Sequence, residues 1–153
     1  MAQALFANQR EANLLSTIAL VEEVLGALGY PAVQSRAHDA TSPHAWQIAK
    51  GSATARILLV DRAAFTHIRV SATVMTIDAS VDRTALFAHL LELNASLAGA
   101  AFATDGDRVL CVCERSTLDL DRSEVQDLIV HVTTTADDHD DALVARFGGR
   151  IGG

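Results

Sequence analysis

A chain of 153 residues, half of them apolar and a fifth charged, has the composition of one folded, soluble domain with a real core rather than a disordered segment. Its net charge of −7, with one lysine (Lys50) and scattered arginines, argues against phosphate-backbone binding, which needs clustered cations. No apolar run approaches the roughly 18 residues of a membrane span, and MAQALFANQREANLL lacks a basic start followed by an apolar block. Neither a membrane segment nor a signal peptide is expected, and the two cysteines of such a cytoplasmic chain read as reduced thiols.

Residues 11–29, EANLLSTIALVEEVLGALG, predict a helix. Leu14, Ile18, Val21, Leu25 and Leu28 recur at spacings of three and four, and Gly29 with Pro31 supplies the stop. Residues 32–44 read as a loop or irregular edge segment. AWQIAK, 45–50, alternates, and after a turn at Gly51-Ser52 the stretch TARILLVDR is rich in Ile, Leu and Val. Residues 66–77 place Ile68, Val70, Ala72 and Val74 on one side and His67, Arg69, Ser71 and Thr73 on the other, a half-buried strand with one wet face. Short links make these three strands an antiparallel meander.

A second helix is expected over 82–98. A strand pair follows at about 100–104 and 108–115, joined by the tight-turn sequence DGD. The last helix begins near Ser123, where Ser123 and Gln126 fit a capping box, and ends at Gly148-Gly149. Residues 1–10 and 148–153 read as flexible ends of a single domain spanning 1–153. The order α-β-β-β-α-β-β-α, with helices and strands segregated, predicts an α+β fold with a mostly antiparallel sheet.

Two features of residues 90–114 invite chemistry. Asn94 stands inside an apolar arc of roughly 160° on the second helix, built by Leu86, Leu90, Leu93 and Leu97 with Phe87 and Leu91 beside them. A buried Asn needs hydrogen-bond partners, so Asn94 reads as a structural tie between this helix and neighbouring backbone. The width of the arc predicts two covers, the chain's own sheet and a second copy, which makes the chain a homodimer. Cys111 and Cys113, two apart in a strand, face the same way with Cβ atoms about 6–7 Å apart, too far for an unstrained disulfide. Zinc would need two further ligands, and no CxxC or HxxxH supplies them. They read as small apolar residues of a strand apolar on both faces. Phe87, Leu91, Cys111 and Cys113 are the candidate dimer or partner interface.

Other candidates read as structure. ADDHDDAL, 136–143, places Asp137 and Asp141 one turn apart, the pattern of a solvated acidic helix face, with His139 near the apolar stripe. Ser42 lies between His38 and His44, without a visible orienting group for a triad. GxGxxG, Walker and GxSxG motifs are missing, so no enzyme, cofactor or metal site is expected.

LLELNASLAGAAFATDGDRVLCVCERSTLDLDRSEVQDLI, followed by TADDHDDALVARFGG, resembles the YbjN-domain family, which is similar in fold to the type III secretion chaperones. The resemblance rests on a helix ending in Leu90, Leu91, Leu93 and Asn94, a hairpin, an acidic LDL step at 118–120 and a long helix ending FGG. It implies the same element order, a homodimer, no catalysis, and a role in binding other proteins or in regulation of the sensory-transduction type. CVC is no signature of that family.

The leading expectation is therefore a dimeric, chaperone-like protein-binding module without nucleic-acid or membrane partners. It would hold an extended client by strand addition or groove filling along the first helix and early strands, including Trp46 unless that side chain is core. The alternative is a small-molecule or metal sensor using Cys111, Cys113 and a histidine.

Overall fold

The computed structural model describes residues 2–62 and 65–152, with side chains from residue 9 onward. Helix α1 runs Ala2–Ala27, so it starts well before the expected residue 11. Its end follows from Gly29, whose φ of 90° lets Tyr30 N–H reach Leu25 O at 2.8 Å and Gly29 N–H reach Gly26 O at 3.1 Å. This is the paired closure that a left-handed glycine permits. The expected loop at 32–44 contains a single turn, α2 (Ala32–Ser35), and a two-residue strand, β1 (Arg36–Ala37).

Strands β2 (Ala45–Lys50), β3 (Ala53–Asp61) and β4 (Thr66–Thr76) form the antiparallel meander. Helix α3 (Arg83–Asn94) stops earlier than the expected residue 98, and Asp82 caps it by accepting from Thr84 and Ala85 N–H. The hairpin β5 (Ala101–Asp105) and β6 (Arg108–Ser116) turns at Gly106, φ 59°, the first of two loop residues.

Helix α4 spans Arg122–Phe147. Its cap is Asp121 with Glu124, not Ser123 with Gln126: Glu124 N–H donates to Asp121 Oδ1 and Asp121 N–H to Glu124 Oε2, both at 2.9 Å. Both pairs fit the sequence pattern. The upstream pair places carboxylates at the positive helix end, and Glu124 also bonds Arg115 at 2.6 Å.

The sheet order is β1-β2-β3-β4-β6-β5, so the chain leaves β4, passes through α3 and enters the far edge before returning beside β4. The expected α+β class stands. Helix α4 packs across β3, β4 and β6, and α1 packs beside it. Strand alternation supplies the covered face: Ile57, Val70 and Cys113 form one cross-strand row, and Ile48, Ala55, Ala72, Cys111 and Phe102 form the next. The small side chains in the second row leave room for the helix layer, which contributes Val125, Ile129, Val132 and Ala136 to the same core.

The tail, expected to fray, instead pairs with β4. Strand β7 (Arg150–Ile151) meets Thr76 and Met75, and Gly152 N–H donates to Val74 O at 3.0 Å. Glycine is required at the turn: Gly149 has φ 84°, and a Cβ there would lie 2.6 Å from Thr76 O. Strand β3 pairs with β4 only as far as Ala72, so the β3-side edge of β4 beyond that residue is open to a second partner.

Candidate functional site

The residues singled out by sequence fall into different environments. Asn94 Nδ2 donates to Phe102 O at 3.1 Å and Phe102 N–H donates to Asn94 Oδ1 at 2.7 Å, so the side chain mimics a strand partner and ties α3 to edge strand β5. Leu86 and Leu90 are buried and Phe87 is half-buried against the core, whereas Leu91 is 69% exposed.

Cys111 is fully buried on the helix-covered face, and burial pushes its thiol up to about 12. That location removes Cys111 from the candidate interface: its face is occupied by the chain's own helices. Cys113 lies on the same face, half-buried, with its thiol also raised by burial. Neither is a poised nucleophile. Among the described residues, no three His, Cys, Asp or Glu side chains converge as metal ligands would.

Trp46 is core, 1% exposed, with Nε1 donating to Glu22 Oε1 of α1 at 3.3 Å, so it offers a client nothing. Ser42 Oγ donates to Leu59 O at 2.6 Å and accepts from His44 N–H at 3.1 Å, a structural pin rather than a nucleophile. His139 donates from Nδ1 to Thr135 O at 2.9 Å and packs edge-on against Phe102, ring centres 5.3 Å apart. The acidic run is not wholly solvated as expected. Asp140 is buried and accepts from Ser52 Oγ at 2.5 Å, because the β2–β3 turn folds over that turn of α4.

What composition did not reveal is a groove of about 650 Å³ beside α1. One wall is the outer side of that helix, from Gln9 and Arg10 to Asn13 and Ser16; the other is Phe65 and Leu118. Phe65 and Leu118 are 46% and 41% exposed, two large apolar side chains from separate loops that face the same groove. Its base is hydrogen-bonded. Thr117 Oγ1 donates to Asn13 Oδ1 at 2.7 Å and Asn13 Nδ2 donates to Thr117 O at 3.2 Å. Arg10 pairs with Asp61 at 2.9 Å at its end. The only sequence signal is an apolar residue in each of two loops, and nothing local says that these loops meet.

Among the described residues, no helix covers the sheet face opposite α1 and α4, and that face is charged. Arg62 grips Glu114 with two bonds of 2.7 and 2.8 Å, and Arg69 adds a third at 2.9 Å. The Arg62 hydrogen bonds, with help from Arg69, hold the Glu114 carboxyl at about 2.

Comparison with known proteins fits this geometry. The chain superposes on a chain of the ExsC-ExsE complex with a TM-score of 0.64 at 17% identity, covering 84% of this chain and 93% of that one. It is similar to a chain of the heterodimeric ExoU-SpcU complex from the type III secretion system of Pseudomonas aeruginosa (TM-score 0.56, 12% identity, 82% and 96% covered). It is also similar to a chain of the Yersinia pestis type III secretion chaperone SycH in complex with a stable fragment of YscM2 (TM-score 0.54, 15% identity, 82% and 97% covered). At such identities these likenesses show the fold. No curated protein matches the chain. The model of one family, described as T3SS (YopN, CesT) and YbjN peptide-binding chaperone 1, matches residues 16–151, nearly the whole domain, and the chain belongs to that family.

Proposed function

We propose that the chain is a non-enzymatic, cytoplasmic protein-binding module of chaperone or regulatory type. It acts as a homodimer and holds an extended client segment in the groove between α1, Phe65 and Leu118. The observation that carries this reading is the groove itself: a hydrogen-bonded base, two half-exposed apolar side chains and an adjoining helix wall, in a member of a peptide-binding chaperone family. Apolar anchors beside a polar helix wall suit a segment that gains affinity by filling pockets.

Panning a displayed library of short random peptides against the wild-type chain and Leu118→Glu tests it. Enrichment on the wild type that is lost on the variant supports the groove; equal enrichment on both refutes it. The dimer reading rests on Leu91, exposed on the flank of α3 that the sheet leaves uncovered, with Phe87 one turn away. Leu91→Glu should leave the fold intact and halve the particle mass in sedimentation equilibrium. A wild-type monomer at the same concentration would end that part of the reading.

A further inference from the structure

The uncovered face of the sheet forms a second concavity, about 620 Å³, running from β2 across β3, β4 and β6 to β5. At about 4.8 Å per strand its length approaches 20 Å, long for a small anion and suited to a peptide. Its charge runs against that of the molecule. The chain carries −7, yet this face groups Arg56, Arg62, Arg69 and Arg108 against three carboxylates, those of Asp39, Asp105 and Glu114.

The hydrogen-bond inventory is lopsided in the same sense. Each of those carboxylates already accepts from an arginine, so the acceptors are engaged. The guanidinium groups have five N–H donors apiece and use few. Arg69 spends Nη1 on Glu114, and Arg108 spends Nη2 on Asp105. Arg56 spends Nη2 on Asp39 and His38 O, while its buried Nε finds no acceptor among the described residues. The half-buried Thr54, Ser71 and Thr73 line the floor, and the half-buried Leu110 gives it an apolar patch. A face with donors to spare and its acceptors taken complements a ligand that brings acceptors.

We infer that this face binds acidic residues of the client, with Arg56, Arg69 and Arg108 donating to Asp or Glu carboxylates of a peptide segment laid across the strands. The inference rests on the client-holding reading above and adds a second contact, on the opposite side of the sheet, that selects clients by charge. The arginines keep their present partners and offer their free N–H groups. Leu110 seats an apolar residue between the acidic ones.

The test uses a fluorescein-labelled peptide of Glu, Ser and Leu in alternation and its twin with Gln at every Glu, titrated into the full chain by fluorescence anisotropy. At low salt the Glu peptide should bind about tenfold or more tightly than its twin. The preference should shrink as salt rises and disappear in the double variant Arg56→Gln/Arg108→Gln. Amide shifts of the wild-type chain, which do not depend on the variant folding, should move at Thr54, Ser71 and Thr73. Equal binding of the two peptides overturns the charge reading and leaves the groove reading standing. Binding of neither counts against both. A Glu preference with shifts confined to α1 places the contact elsewhere and also overturns it.

Discussion

One set of strands shows two surfaces with opposite chemistry. On the helix side, β3 and β4 offer Ala55, Ile57, Leu59, Ile68, Val70 and Ala72, all almost fully buried beneath α1 and α4. On the other side the same strands offer Arg56, Arg69, Ser71 and Thr73, half-buried and paired in part by ions. The period-two alternation of a strand makes the two faces independent: one is spent on stability, and the other is free to vary for recognition.

The contrast can be broken most directly by truncating one residue on each side. Ile57→Ala on the covered face should cost about 2–5 kcal/mol in denaturant melts, whereas Leu110→Ala on the open face should cost about 1 kcal/mol or less. Equal costs would mean that a second layer covers the open face. Next in size, Gly149→Val should lower stability by about 1–3 kcal/mol, because the tail turn has a left-handed φ and no room for a side chain. Circular dichroism melts would show it, and an unchanged midpoint would mean that β7 adds nothing to the edge of β4.

Asn94→Ala removes both bonds to Phe102 and should cost about 1–3 kcal/mol, with faster amide exchange along β5 than along β4. Asp121→Ala removes the cap of the helix that covers the sheet and should cost about 1 kcal/mol.

The smallest effect belongs to the open face and depends on pH. The arginine partners of Glu114 hold its carboxyl at about 2, below the ordinary glutamate value of 4.5. Its contribution is therefore fully present above about pH 4.5 and is lost as pH falls through about 2. Glu114→Gln should lower the melting temperature slightly at neutral pH, and the gap from wild type should close near pH 2. A gap that widens with acid would contradict the ion-pair account.

Local signals in the sequence were enough for the meander, the long helices and the segregated order, because periodicity and capping depend on neighbours a few residues apart. Ile68 to Val74 alternate as a strand with one wet face must, and Leu14 to Leu28 recur as a helix stripe must. Asp121 and Ser123 show the limit: two capping patterns overlap, and only the folded helix end selects one.

Contacts across long separations decided the rest. Ser52 reaches Asp140, 88 residues away, and buries part of an acidic run that reads as solvated. The tail joins β4 because β3 stops pairing at Ala72 and leaves that edge of β4 open, and Cys111 sits on the helix-covered face in a row of small side chains. The groove exists only where α1, Phe65 and Leu118 converge, and the donor-rich face only where arginines from β3, β4 and β6 align. Periodicity assigns each residue to a face, but what a face meets is fixed by how the chain closes on itself.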